Sequence, residues 1–372
     1  MASIEAACAG TVSTYSRLTC VDDSFLAQAR HIVLFVVDGL GYDYLNSAGT
    51  GSCLHGYQQA RLTSVFPSTT ASAVTCLLSG LAAQQHGLTG WHVYFREIGA
   101  IAAVLPLEPR HGGPPLPSTG VAAATLLSGT PLFDRIARSS HVVAPANIVD
   151  SDFNRYYAGS AKRSGYGSLD QCFAAIAEHI GSQQGPSFTH AYYPVIDAAA
   201  HFYGCRSSEV QQRFARFDQC FAAFLGAIAG SDTAVIVTAD HGFIDSPPEH
   251  VIDMQRHPEL ARMLTLPLCG ERRVAYCYVH PRHQSDFEAY VASEFAGRAT
   301  LLPSEELLAQ KRFGLGQPHP RLIERIGDYT LLMQDDWTIK DWVEGEPRHE
   351  LIGVHGGTSS AEMFVPLVIA MT

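Results

Sequence analysis

The run Ile236-Val237-Thr238-Ala239 empties into Asp240-His241-Gly242. An apolar run that stops at a glycine reads as a buried strand entering a tight turn, and open α/β sheets place their ligands at the carboxyl ends of such strands. One hard carboxylate oxygen beside one imidazole nitrogen suits Zn2+ or a similar divalent cation. The pattern recurs: Asp38-Gly39 closes the run His31 to Val37, Asp197 and His201 follow the strand-like Phe188 to Tyr193, and His355 precedes Gly356-Gly357. One helical turn would aim Asp197 and His201 at one ion. Taken singly, each residue reads as a cap or a loop side chain. Their shared place at strand ends points instead to two cations. At a separation of about 4 Å such a pair would clamp the attacking and leaving oxygens of an in-line phosphoryl displacement.

An attacking group is also at hand. Phe66-Pro67-Ser68-Thr69-Thr70 leads into Ala71 to Leu81, a small and apolar stretch with helical spacing. Thr69 or Thr70 then sits at the helix N-cap, where exposed N–H groups receive anions.

The elements that must position these groups read as an α/β fold, with a mostly parallel central sheet flanked by helices. His31 to Val37 is a continuous apolar strand, buried on both faces. Helical patterns cover Pro131 to Arg138, Leu169 to Ile180 and Glu209 to Ile228, and Pro106 to Pro117 reads as a long loop. Further on, Arg273 to His280 alternates like a strand, Asp286 to Phe295 like a helix and Tyr329 to Met333 like a strand. We therefore expect a catalytic core over 1–244 and 346–372 and a small inserted α+β cap over 245–345. A loop insertion over 92–185 is expected near the site.

Composition narrows the partners. Of 372 residues, 47% are hydrophobic and 16% charged, which is globular rather than disordered. The formal charge of −11 leaves no basic stripe for a nucleic-acid polymer. No apolar run approaches the roughly 18 residues of a spanning helix, so no membrane partner is expected. Met1 to Glu5 lacks a basic, then apolar, leader, and the nine cysteines form no C-x-x-C pair. Both features set the expectation of a cytoplasmic chain with reduced thiols. Oligomeric state stays open.

The series Val36-Val37-Asp38-Gly39, Phe66-Pro67-Ser68-Thr69-Thr70, Ser79-Gly80, His86-Gly87, Asp197-x-x-x-His201, Thr238-Ala239-Asp240-His241-Gly242 and Val354-His355-Gly356-Gly357 resembles the type I phosphodiesterase/nucleotide pyrophosphatase family of the alkaline phosphatase superfamily. The resemblance implies an alkaline phosphatase-like fold and two divalent metal ions, Zn first, with Mn or Fe as other occupants. By position it assigns Asp197, His201 and His355 to one ion. Asp38, Asp240 and His241 go to the other, which also binds the nucleophile, and Thr70 is chosen over Thr69. It further implies a covalent phospho-threonine intermediate. Ala73, one turn on from Thr70, carries no donor for a phosphoryl oxygen, which leaves His92 and Arg96 as candidates. Trp91 and Tyr94 are candidates for the wall of the pocket. The expected partner is a small phosphate ester, a nucleotide among them. Hydrolysis of a phosphate diester is the first reading. A phosphomonoesterase or a phosphonate hydrolase with the same site is the alternative, and a non-catalytic, metal-stabilised binding protein is the third.

Overall fold

In the computed structural model, which describes residues 1–10, 13–346 and 348–372, seven strands form the central sheet. They are β1 (His31–Val37), β2 (Gln58–Thr63), β3 (Ser139–Pro145), β4 (Lys162–Tyr166), β5 (Ser187–Tyr193), β6 (Thr233–Thr238) and β7 (Phe364–Met371). Their order is β2-β7-β6-β1-β5-β3-β4. The run from β6 to β4 is parallel, while β7 lies antiparallel to both β6 and β2. This is the expected mostly parallel sheet, and helices cover both of its faces.

Side-chain alternation explains the layering. Every residue of β1 is buried. Phe35 and Val37 point to one side, against Phe173 and Ile176 of one helix and Phe217 and Phe221 of another. Leu34 and Val36 point to the other side, where Val74, Leu78, Phe153 and Tyr157 pack. Each such side chain contributes about 1.5–3 kcal/mol through removal from water. The helices that matter for the site are α1 (Thr70–Ser79), α2 (Leu169–Ser182), α3 (Val195–Tyr203) and α4 (Ser208–Ala227). α1 ends two residues before the Leu81 that closes its apolar pattern, because Gly80 takes the left-handed conformation at φ 70° and stops it.

A second sheet of seven antiparallel strands stands over the first. Its order is Ala299–Pro303, Tyr329–Met333, Val274–Cys277, Cys269–Gly270, His92–Phe95, Ala100–Ala103 and Glu108–Pro109. Two distant stretches therefore share it, joined where Gly270 pairs with His92. The stretch 92–185 is thus largely structured, since it also supplies β3, β4 and α2 to the central sheet. The helix expected over Pro131 to Arg138 is only a short 3-10 turn, Leu132–Asp134. A tertiary backbone bond stands where a helical one would: Ala137 N donates to Cys8 O at 3.0 Å, and the Arg135 and Arg138 side chains donate to Ser79 O at 2.8 Å and Ala29 O at 2.9 Å.

Candidate active site

Sheet register lines up the strand ends. Val37 of β1 lies level with Tyr193 of β5, and Val36 lies level with Thr238 of β6. Asp38 follows β1 directly, Asp240 comes two residues past β6, and Asp197 and His201 stand one turn apart on α3, just beyond β5. His355 arrives from elsewhere, after the short strand Gly353–Val354 that pairs with Ile244–Asp245. Close backbone approach is part of this convergence. A side chain at Gly242 would run into Ala361 O and Gly41 Cα, and one at Gly39, whose φ is +74°, would strike the Phe243 ring.

The six side chains form two groups of three, Asp197 with His201 and His355, and Asp38 with Asp240 and His241. Within each group the possible ligand atoms all lie within 4.8 Å of one another. Asp197 Oδ1 is 3.5 Å from His201 Nε2 and 3.8 Å from His355 Nε2. His241 Nε2 is 3.4 Å from Asp38 Oδ1, 3.3 Å from Asp240 Oδ2 and 4.0 Å from Asp197 Oδ1, so it bridges the groups.

All three histidines are held in the same way. Nδ1 of His201 meets Gly353 O at 2.8 Å, Nδ1 of His355 meets Ser68 O at 3.2 Å, and Nδ1 of His241 meets Gly242 O at 3.1 Å. A carbonyl can only accept, so each ring carries its proton on Nδ1 and turns the Nε2 lone pair inward. Facing those lone pairs are Asp38 Oδ1, Asp197 Oδ1 and Asp240 Oδ2, all buried and without a hydrogen-bond donor. Acceptors facing acceptors in a buried space call for a proton or a cation between them. The residues present therefore fit divalent metal ions.

The electrostatics of the protein alone agree. Burial first, then Asp197 and Asp240, pushes the Asp38 carboxyl well above its ordinary value, although the Tyr192 hydroxyl donates to Asp38 Oδ2. Burial also raises Asp197, and burial with neighbouring His241 and His201 pushes His355 well below the ordinary histidine value. These shifts oppose Asp38 and Asp197 ionising together in a dry site without positive charge.

Thr70 is the first residue of α1, and its Oγ1 lies 3.1 Å from His241 Nε2. Thr69, the N-cap, makes no capping bond with its side chain; its hydroxyl donates to Glu271 Oε1 at 2.6 Å. The two hydroxyls therefore point to different tasks. Glu271 was not legible as a site residue, since it stands in the strand-turn sequence Cys269-Gly270-Glu271 with no motif around it. The same oxygen accepts from Trp91 N at 2.6 Å, and burial raises this carboxyl to about 7.

A cavity of about 410 Å3 opens over Thr70, between the central sheet and the second sheet. Trp91 and His92 line it. Burial, then Arg110 and Lys340, lowers His92 to about 3, so it is a neutral donor or acceptor at pH 7. Tyr94 and Arg96 do not reach this cavity. A strand advances about 3.3 Å per residue, and by Tyr94 the chain has moved away to a separate hollow. There Arg96 pairs with Glu324 at 2.7 Å and Tyr94 packs on Tyr278.

The loop that carries His355 is braced by a buried ion pair. Arg273 Nε and Nη2 each donate to Glu362 at 3.0 Å, and Glu362 also accepts from Gly357 N at 2.8 Å. The Arg273 and Glu362 side chains are 2% and 0% exposed, so losing one partner strands a charge. Glu362→Ala is expected to cost about 3–5 kcal/mol in denaturant unfolding. The double replacement Arg273→Met/Glu362→Leu should cost clearly less. A smaller loss in the single variant than in the double would contradict this account.

Fold and site together define a phosphoester hydrolase of alkaline phosphatase-like architecture. The family model described as "Type I phosphodiesterase / nucleotide pyrophosphatase" matches residues 32–358, and the chain belongs to that family. Among solved structures, murine ectonucleotide pyrophosphatase/phosphodiesterase 5 is similar at 16% identity with a TM-score of 0.66, over 90% of this chain and 87% of that one. An inactive form of the murine protein in complex with AMP gives 16% identity, a TM-score of 0.65 and the same coverage. Phosphonoacetate hydrolase from Sinorhizobium meliloti 1021, in complex with phosphonoformate, is similar at 17% identity and a TM-score of 0.64, over 92% of this chain and 90% of that one. No curated protein sequence matches the chain. Among the described residues, no helix is long and apolar enough to cross a membrane.

Proposed function

We propose that the chain hydrolyses small phosphate diesters, nucleotides among them, with Thr70 as covalent nucleophile beside two divalent cations, Zn2+ in the first place. One observation carries this reading: three histidine Nε2 lone pairs and three donor-free carboxylate oxygens converge beside the Thr70 hydroxyl. Asp197, His201 and His355 would hold one cation; Asp38, Asp240 and His241, with Thr70, would hold the other. Bound there, the cations supply Lewis acidity to the attacking and leaving oxygens.

The chain's own groups do the rest. Thr70 Oγ1 attacks phosphorus as the bond from phosphorus to the leaving oxygen breaks, giving a phospho-threonine that still carries the second ester arm and one free alcohol, which takes up the proton that the hydroxyl loses. Water then cleaves the phospho-threonine and restores the hydroxyl. The first intrahelical bond of α1 runs from Ala73 N to Thr69 O, so the N–H groups of Thr70, Ala71 and Ser72 precede it. They face the place where phosphoryl charge builds up. Tyr192 holds Asp38, and Glu271 holds Thr69 and the backbone of Trp91, which keeps the cavity floor in one arrangement.

Phosphonate hydrolysis is a second reading, favoured by Arg272 and Lys340 in the cavity wall, where they can meet a substrate with additional negative charge. Rates on bis-p-nitrophenyl phosphate, p-nitrophenyl phosphate and phosphonoacetate separate the readings. The diester should lead the monoester in kcat/KM by about tenfold or more, roughly 1.4 kcal/mol of transition-state binding. A lead by p-nitrophenyl phosphate sinks the diesterase reading, and turnover of phosphonoacetate alone selects the second.

A further inference from the structure

The wall of the active-site cavity that carries Arg272 has positive charge left over. Arg110, Arg272, Lys340, Asp341 and Glu346 all line the cavity. Arg110 Nη2 pairs with Asp341 at 2.5 Å and Glu346 at 3.0 Å, and Lys340 Nζ pairs with the other Glu346 oxygen at 2.7 Å. Those two carboxylates are therefore committed to two cations. Arg272 makes no ion pair among the described residues; its Nη2 donates to His349 O at 2.8 Å, and its guanidinium lies 5.8 Å from the Trp342 ring centre. Neighbouring Glu271 is engaged by Thr69 and Trp91. Lys340 Nζ sits 4.8 Å and the Arg348 guanidinium 5.4 Å from the same Trp342 ring, so the indole is a platform among three cations.

A half-buried guanidinium without a carboxylate is costly to keep unless a ligand completes it. A guanidinium offers paired N–H groups that match a carboxylate or a phosphate. We propose that Arg272, with Lys340 and the Trp342 ring beside it, forms a subsite for a second acidic group on the substrate, a carboxylate or a phosphate at the end of the arm that runs away from the reacting phosphorus. This rests on the hydrolase reading above and narrows it. The favoured substrate is a small phosphodiester or phosphonate bearing one further anion, since a cavity of about 410 Å3 holds a small molecule and not a polymer. The apolar faces of Trp91 and Trp342 suit a short carbon arm between the two acidic ends.

The test compares three p-nitrophenyl aryl phosphates on the metal-loaded protein, whose second aryl arm is plain, para-carboxylated or para-phosphorylated. An acidic arm should raise kcat/KM over the plain arm by about 10- to 100-fold, the scale of a charge-assisted hydrogen bond. Which acidic arm is preferred tells a carboxylate site from a phosphate site. In Arg272→Gln that preference ratio should fall by about tenfold or more, and Arg272→Lys should recover part of it. Equal kcat/KM on all three arms in the wild type, or an unchanged ratio in Arg272→Gln, overturns the subsite. Equilibrium binding of the same three compounds to metal-loaded Thr70→Ala reads the preference without turnover. If binding prefers an acidic arm while no arm is hydrolysed by the wild type, the subsite stands and the hydrolase reading falls.

Discussion

Replacing Thr70 with alanine should lower kcat on a phosphodiester by on the order of 10^4-fold or more, the scale on which removal of an enzymic nucleophile acts. The fold has little reason to notice. Thr70 is the first helical residue of α1, its side chain caps nothing, and among the described residues its hydroxyl meets His241 alone. Melting temperature and metal content should therefore stay close to wild type. Thr69→Ala is the matched control, because its hydroxyl serves Glu271 rather than the cation groups. It should lose far less, roughly the tenfold that one neutral hydrogen bond is worth. Thr70→Ser keeps the oxygen and should keep a measurable rate. A Thr70→Ala protein within tenfold of wild type, or a Thr69→Ala protein that loses as much, would move the nucleophile elsewhere.

The parts of this site that are legible in sequence share a physical cause. β1 runs from His31 to Val37 as expected, because a strand buried on both faces must be apolar throughout. The chain then leaves the core abruptly, and a carboxylate at that boundary stands out. Asp38, Asp240 and the Asp197/His201 pair were visible for this reason, and His355 by its following glycines. The second sheet was not visible as one unit. Its strands His92–Phe95 and Cys269–Gly270 pair across a wide gap in sequence, and antiparallel pairing leaves no local mark of its partner. β4 was hidden for another reason: it is an edge strand whose Lys162 to Gly165 are exposed or half-buried, so it lacks an apolar signature. The same distance effect hid Glu271 and Arg272, which follow Cys269–Gly270 of that sheet, and Lys340, which ends the strand Thr338–Lys340 paired with Val251–Asp253. Arg96 and Tyr94 misled in the opposite direction, since closeness to His86-Gly87 in sequence says nothing about where a strand travels.

Removing divalent ions should abolish turnover, and Zn2+ should restore it. The stronger expectation concerns stability and its dependence on pH. Without cations the Asp38 carboxyl is raised above its ordinary value of 3.8, mainly by burial and then by Asp197 and Asp240. A raised carboxyl means that the folded chain holds a proton the unfolded chain has released. Its contribution is therefore fully present below about pH 4 and is lost as pH rises through the raised value. His355, which is lowered, acts only on the acid side: it is neutral in both states above its ordinary value of 6.5, and it weakens the fold as pH falls below that. Above pH 6.5, then, His355 no longer contributes and the raised carboxyls of the site remain. Cation binding also tightens over this range, because its ligands no longer compete with protons. The gap in melting temperature between metal-loaded and chelator-treated protein should therefore widen as pH rises from about 4 through the raised carboxyl value. With free metal at a thousand times its Kd the gap corresponds to about 4 kcal/mol for each site. Equal melting curves with and without chelator across that range, together with undiminished turnover, would mean that the six converging side chains hold no cation.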